Sequence, residues 1–231
     1  MNSPLTSDEL EALCRLDACT LANAIETFHK RLRNEGFIDH TIHCLLPRLR
    51  PMLGYAATLK IRGSAPPTTD GAYADRTDWW DQVVALPEPR VVVIEDASAK
   101  PGLGSLIGAV HMNVLRALHC VGVVTNGSVR DIPDAEEAGF HFFAASVAVS
   151  HAYVHIIEFG KPVTIGGLKI QSGDLLHGDL HGVQSVPLDI AARIPAVASK
   201  IAAREQAISE LCHSPEFSLE KLRAVISNER L

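Results

Sequence analysis

Three features of the 231-residue sequence predict an α/β fold. The run RVVVIEDA (90–97) is continuously apolar and β-branched, as a strand buried on both faces of a helix-covered sheet must be. A strand, helix, strand rhythm continues from it to about residue 138. From 141 to 187, short apolar runs broken by EFGKP, GG, SGD and HGDLHG read as closely spaced hairpin strands, predicted to form a second, tighter sheet. With 47% hydrophobic residues the chain can bury a sizeable core without disulfides, and residues 1–231 read as a single domain.

The elements follow in order. Thr6 or Ser7 stands before acidic first-turn residues, and Leu10, Leu13, Leu16, Leu21 and Ile25 recur at helical intervals, which predicts two short helices divided near Asp17. Residues 31–53 carry two prolines and read as irregular; GYAATLKI (54–61) reads as a strand, and RGSAPPTTDGAYADRTD as a loop. WWDQVVAL is a short helix, 90–97 the buried strand, and the apolar stretch through about Leu118 a helix opened by glycines. A strand at 121–125 leads into an Arg-Asp turn and a helix at 132–138. A long helix from about Leu188, a Ser-Pro break at 214–215 and a last helix close the chain. The terminal stretches 1–30 and 188–231 are expected to pack on the body or on a neighbouring subunit.

Composition excludes several classes of function. Lys and Arg number 21 against 27 Asp and Glu, a net charge of −6, with no basic tract to follow a phosphate backbone, so nucleic acid is not the expected ligand. No apolar run approaches the roughly 18–20 residues of a membrane span, and the start lacks a basic segment followed by an apolar one, so a cytoplasmic protein without membrane contact is expected. The five cysteines have irregular spacing and no C-x-x-C pair, and read as buried free thiols.

Two stretches could carry chemistry. In PGLGSLIGAVHMNVL, Gly102, Gly104 and Gly108 precede or open a helix whose first-turn N–H groups could hold an anion; taken alone the glycines also read as close packing. VGVVTNGSVRDIPD sets Arg130 and Asp131 after the next strand, where two neighbouring crossover ends would make a crevice. A guanidinium there can grip a carboxylate and an adjacent Asp can hold a hard divalent cation. A solvated turn with Asp131 capping the helix that begins at Ile132 fits the same residues.

Together these stretches are recognisable. GSLIGAVHMNVLRALHCVGVVTNGSVRD, followed by GKPVTIGGLKIQSGDLLHGDLHGVQSVP, resembles the RraA-like family, which joins the regulator of ribonuclease activity A to the class II 4-hydroxy-4-methyl-2-oxoglutarate aldolases. The likeness runs from about residue 10 to 210 through the glycine helix start, the G-x-V-R-D turn and the G-D-x-x-x-x-D-x-x-G-V hairpin. It implies an αββα sandwich of the phosphohistidine-domain-like β/β/α type with a long C-terminal helix, assembled as a homotrimer or homohexamer. It also implies a lyase that cleaves 4-hydroxy-2-oxo dicarboxylic acids to pyruvate, decarboxylates oxaloacetate, or both, with Mg²⁺ or Mn²⁺.

Carried onto this chain, the backbone of Gly108, Ala109, Val110 and His111 would bind the carboxylate of a small 2-oxo acid. Arg130 would hold the substrate, Asp131 would ligate the metal, and Glu205 of a neighbouring subunit would add an outer-shell carboxylate. Ala109 and Asn126 stand where many enzymatic members have acidic residues, which removes negative charge from around the expected cation. The same resemblance offers a non-catalytic, protein-binding regulator as the alternative. Other candidates read as structural: His151 and His155 as strand residues, His177, Asp179 and His181 as a polar hairpin rim, Asp174 as a turn residue, and Ser128 as a serine without a His-Asp partner.

Overall fold

The computed structural model describes residues 5–67 and 77–228; the middle of the loop expected after residue 61 lies outside them. Helix α1 (Ser7–Cys14) begins in a capping box: the Thr6 hydroxyl accepts from the Glu9 amide, and the Glu9 carboxylate accepts from the Thr6 amide. Asp17 caps α2 (Ala18–Glu26) through the Thr20 amide at 2.9 Å. The expected division near Asp17 is therefore a helix stop followed by a fresh N-cap.

After a two-residue strand β1 (His43–Cys44) come β2 (Met52–Arg62), α3 (Asp78–Val84), β3 (Arg90–Asp96), α4 (Ala109–Ala117), β4 (Cys120–Val129) and α5 (Ile132–Ala138). The strands β5 (His141–Val147), β6 (His155–Phe159), β7 (Val163–Ile165), β8 (Leu168–Ile170), β9 (Leu175–Asp179) and β10 (Gly182–Val186) follow. A 3₁₀ turn at Ala191–Arg193 then leads into α6 (Ile194–His213) and α7 (Leu219–Asn228). The long helix begins at Ile194 rather than near Leu188, because Pro195 in its first turn fixes a helical φ where no N–H partner is needed.

The second, tighter sheet expected over 141–187 is corrected. β5, β6, β9 and β10 join one curved eight-stranded sheet ordered β1-β5-β4-β3-β2-β9-β10, with β6 also on β2. Among the described residues, only β7 and β8 pair apart from it. The physical reason is the length of β2: its 11 residues take β3 along one edge, while β9 pairs with Met52–Tyr55 and β6 with Leu59–Arg62 along the other. β2, β3, β4 and β5 run parallel, so their carboxyl ends open on one side of the molecule.

Side chains alternate across this sheet. Val92, Ile94, Val123 and Phe142 pack outward against Met112 and Leu115 of α4 and Trp79 and Val83 of α3. Val91, Val93, Val124 and Phe143 face inward, where Val163, Ile165 and Ile170 of the β7–β8 hairpin fill the concavity. A third cluster joins α1, α2 and α6 to Leu53, Tyr55, Leu175 and Val186. Among the described residues no helix is long and apolar enough to cross a membrane. The expectation of buried thiols holds for Cys14 and Cys120 but not for Cys19 and Cys212, which are exposed.

The rim residues His177 and Asp179 are fasteners. Asp179 Oδ2 accepts from the Ala18 amide at 2.8 Å, and His177 Nε2 lies 2.9 Å from the Leu16 carbonyl, so the turn between α1 and α2 is tied to β9. His141, at the start of β5, is stacked on Phe143, and burial holds its imidazole down at about 4. Above pH 6.5 both folded and unfolded chains keep this ring neutral; below it only the unfolded chain takes the proton, so stability falls as pH falls. Urea unfolding between pH 6.5 and 4 is expected to lose up to about 1.4 kcal/mol per pH unit for this ring, and His141→Gln to flatten the slope by that amount.

Candidate functional site

The crevice at the carboxyl ends of the parallel strands is built by the chain on either side of α4. Ile107 pairs with Val129 as a parallel bridge, and the Arg130 amide donates to the Ile107 carbonyl at 3.2 Å. The segment leading into α4 thus runs beside the end of β4, and Gly108, the N-cap of α4, meets Arg130 and Asp131. A Cβ on Gly108 would lie 2.6 Å from Asp131 Oδ2 and 2.8 Å from Arg130 Nε. Gly108 has an extended backbone with φ −136°. Glycine is therefore required here for space, not for conformation. Gly108→Ala is expected to displace both side chains, lowering any turnover by at least about 10-fold with a stability loss near 1 kcal/mol; activity and thermal unfolding measured on one preparation check this.

Asp131 is in the left-handed region at φ 57°, which Asp tolerates better than most residues. By position it is the N-cap of α5, yet its side chain makes no bond to that helix. The carboxylate reaches across instead, and Oδ2 accepts from the Ala109 amide at 2.8 Å. The capping reading from the sequence is corrected in this respect: Asp131 caps α4, where the helix dipole favours its negative charge. Of the four backbone positions Gly108 to His111 expected to meet a substrate carboxylate, the Ala109 amide is engaged by Asp131.

Arg130 Nε lies 3.5 Å from Asp131 Oδ2, an ion-pair distance, but is buried without a hydrogen bond. The side chains of Arg130 and Asp131 are about one-third exposed, at 31% and 34%, so solvent reaches the pair. His111, one turn into α4, is half-buried, and its ring meets the His151 ring edge-on at 6.4 Å. Burial first, then His151 and Arg130, push its imidazole below the usual histidine range.

The rest of the crevice wall explains one departure from the family pattern. β4 runs through the Asn-Gly pair to Val129, with an irregularity in its pairing to β5 between Thr125 and Ser128. On the other edge of β4, beyond the last register pair with β3 at Ile94 and Thr125, the Asn126 side chain continues the tie to β3: Oδ1 accepts from the Asp96 amide at 2.7 Å and Nδ2 donates to the Asp96 carbonyl at 3.1 Å. A carboxylate could not make the second bond. Asp96 in turn accepts from the Ser98 and Gly102 amides, which pins the loop before α4.

Among the expected site residues, the structure brings together Gly108, Ala109, His111, Arg130 and Asp131. Glu205 is not with them within one chain; it is exposed on α6, in a groove shared with Asn23, Glu26 and Arg33. His151 was read as a strand residue but lies in the loop before β6, against His111. His155, which begins β6, fits the structural reading. Sequence reasoning gave the His111 side chain no role, and nothing in the sequence links His151 to it.

Among the described residues no group of three or more His, Cys, Asp and Glu is arranged to hold a metal. One carboxylate, Asp131, borders the crevice beside a glycine that leaves room for an approach to it. One carboxylate is a donor set that suits a hard divalent cation keeping most of its water, not a caged ion.

A glycine-opened helix set against an Arg-Asp turn at the carboxyl ends of parallel strands places the chain in the class of open α/β folds with a crevice at that edge of the sheet. The model of the RraA-like family, described as Aldolase/RraA, matches residues 18–184, and the chain belongs to that family. It is 28% identical over 139 residues to a Halalkalibacterium halodurans protein named "Putative 4-hydroxy-4-methyl-2-oxoglutarate aldolase", a match that spans 58% of this chain and 66%, just under two thirds, of that relative. Among solved structures, Streptomyces coelicolor RraAS2, described as an unusual member of the RNase ES inhibitor RraA protein family, superposes with a TM-score of 0.67 at 21% identity, covering 89% of this chain and 98% of that one. A structure solved under the description of novel cellulases from gut-associated microbes gives a TM-score of 0.74 at 22% identity, covering 90% of each chain. At these identities the structural likenesses establish the fold alone.

Proposed function

We propose that the chain is a divalent-metal-dependent carbon–carbon lyase acting on small 2-oxo acids. The reactions are retro-aldol cleavage of a 4-hydroxy-2-oxo dicarboxylic acid to pyruvate, oxaloacetate decarboxylation, or both. The observation that carries this reading is the convergence of Arg130, Asp131 and the N-terminus of α4 on one solvent-reached crevice. The name of the Halalkalibacterium relative supports it.

In this reading Asp131 would hold magnesium or manganese, which when bound supplies Lewis-acid stabilisation of charge developing on the 2-oxo oxygen. Arg130 grips the carboxylate next to that oxygen with a planar two-pronged donor, and the Val110 and His111 amides add the positive end of α4. Both act on negative charge that grows as the carbon–carbon bond breaks, so they bind the transition state better than the substrate. Asp131 has a second duty: its bond to the Ala109 amide fixes the helix end from which the other amides point. A second copy of the chain would bring Glu205 toward this crevice in a homotrimer or homohexamer, so specific activity should fall on dilution that dissociates the oligomer.

The rival reading is a non-catalytic regulator that binds a protein. Ala109 favours it, as does the lack, among the described residues, of any group of three or more His, Cys, Asp and Glu arranged to hold a metal. Ala109→Glu separates the two. If the crevice is a lyase site lacking one outer-shell carboxylate, the variant should tighten apparent magnesium or manganese affinity during oxaloacetate decarboxylation by roughly 10-fold or more. A metal titration unchanged by the variant would favour the regulator.

A further inference from the structure

A second cavity, of about 630 Å³, opens at the other end of the sheet, where β2 to β5 begin. Its size is that of a small-molecule pocket. The buried part of its lining is apolar: Met52 and Leu53 at the start of β2, Cys120 at the start of β4 and Phe140 before β5 are at most 4% exposed. Its rim carries Glu11, Arg50, Glu88 and Arg116, and these charges do not cancel. Glu11 gives one carboxylate oxygen to Arg15 at 3.1 Å and the other to Arg50 at 3.0 Å. Glu88 faces Arg90 at 3.4 Å and His119 Nδ1 at 3.6 Å. Buried Arg90 also donates to the carbonyls of Val84, Leu86 and Leu118, so the negative ends of α3 and α4 are already met. The end of α5, which borders the cavity at Gly139, closes its own carbonyls through the Gly139 and Phe140 amides. Arg116 has no ion pair or hydrogen bond among the described residues, and the Arg50 side chain uses only Nη2. The unmatched charge at the rim is therefore positive and belongs to guanidinium groups. His141 lines the same cavity, and its buried Nδ1 has no hydrogen-bond partner, a cost that a polar group of an occupant relieves.

We infer that this cavity binds a small organic oxyanion, a carboxylate or phosphate carried on a compact apolar body, at a site separate from the crevice. Arg116 and the unused nitrogens of Arg50 take the oxyanion, each with a planar fork of donors. Met52, Leu53, Cys120 and Phe140 cover the apolar body. A cation is disfavoured because both rim carboxylates are already paired. Inorganic phosphate is a poorer fit because it leaves the apolar lining facing water. The two sites lie at opposite ends of α4: Gly108 caps its start at the crevice, and Arg116 stands in its last turn at the cavity. The inference does not rest on the lyase reading, since a regulator without catalysis would carry the same cavity.

The test is ligand-observed NMR of the full chain with benzoate and with phenyl phosphate, using inorganic phosphate and benzylamine as competitors, on wild type, Arg116→Gln and Arg130→Lys. At least one of the two aromatic oxyanions should bind wild type saturably with a Kd of about 1 mM or tighter, and the tighter of them assigns the oxyanion. Arg116→Gln should weaken that binding about 10-fold through loss of a charge-assisted contact, whereas Arg130→Lys should leave it within about twofold. Arg116 is exposed and unpartnered, so the fold should survive its replacement, which thermal unfolding of the same preparation checks. Absence of saturable binding by both aromatic oxyanions overturns the proposal, as does displacement by benzylamine or inorganic phosphate as effective as by the oxyanions themselves. Binding that Arg116→Gln leaves unchanged overturns it too; if Arg130→Lys abolishes that binding, the anion sits in the crevice, and the lyase reading is untouched.

Discussion

Replacing Arg130 with lysine is expected to reduce kcat/KM for metal-dependent pyruvate release by about 10²-fold or more while leaving the fold intact. Charge is conserved in this variant, so the loss isolates geometry: an ammonium is a point donor and cannot hold both oxygens of a carboxylate in one plane. The fold should be indifferent, because the buried Nε of Arg130 makes no hydrogen bond and the side chain reaches solvent. What the fold uses is the Arg130 backbone amide bonded to Ile107, which lysine keeps. A twofold effect on turnover would make Arg130 a structural arginine and remove the anion grip from the mechanism.

Asp131→Asn should be at least as damaging to turnover, again by roughly 10²-fold, since an amide is a poor ligand for a hard divalent cation. The variant is chosen because it preserves the other duties of Asp131. An asparagine oxygen can still accept from the Ala109 amide, and Asn tolerates the left-handed backbone at φ 57°, so the stability change should stay within about 1 kcal/mol. Asp131→Ala should cost about 1–2 kcal/mol through the lost cap and the strained backbone. Parallel urea unfolding and metal-dependent turnover on both variants separate ligation from architecture; full activity in Asp131→Asn would end the metal assignment.

These variants also mark what the sequence made legible. The buried strand 90–97, the helix 132–138 and the break at 214–215 were readable because each rests on local chemistry: β-branched burial, an Arg-Asp turn followed by proline, and Ser-Pro. The meeting of Gly108 with Arg130 and Asp131 was also legible, because successive crossover ends of a parallel sheet must open on the same side. What could not be read depended on contacts made at a distance. The helix that Asp131 caps lies 22 positions back in the chain, and its carboxylate passes over the helix it begins. The β5–β10 strands look like a sheet of their own until β2 is seen to accept partners along both edges. Asn126 reads as a missing carboxylate, but its amide is spent on the Asp96 backbone. His151 reaches His111 from 40 residues away, which no periodicity announces.

The most direct measurement is pyruvate release by the purified chain over a panel of 4-hydroxy-2-oxo dicarboxylic acids and oxaloacetate, each with magnesium, with manganese and with chelator. The account predicts turnover of at least one of these acids that requires the metal and is lost in Arg130→Lys and Asp131→Asn. Pyruvate release that is absent throughout, or that survives both the chelator and the two variants, would contradict it.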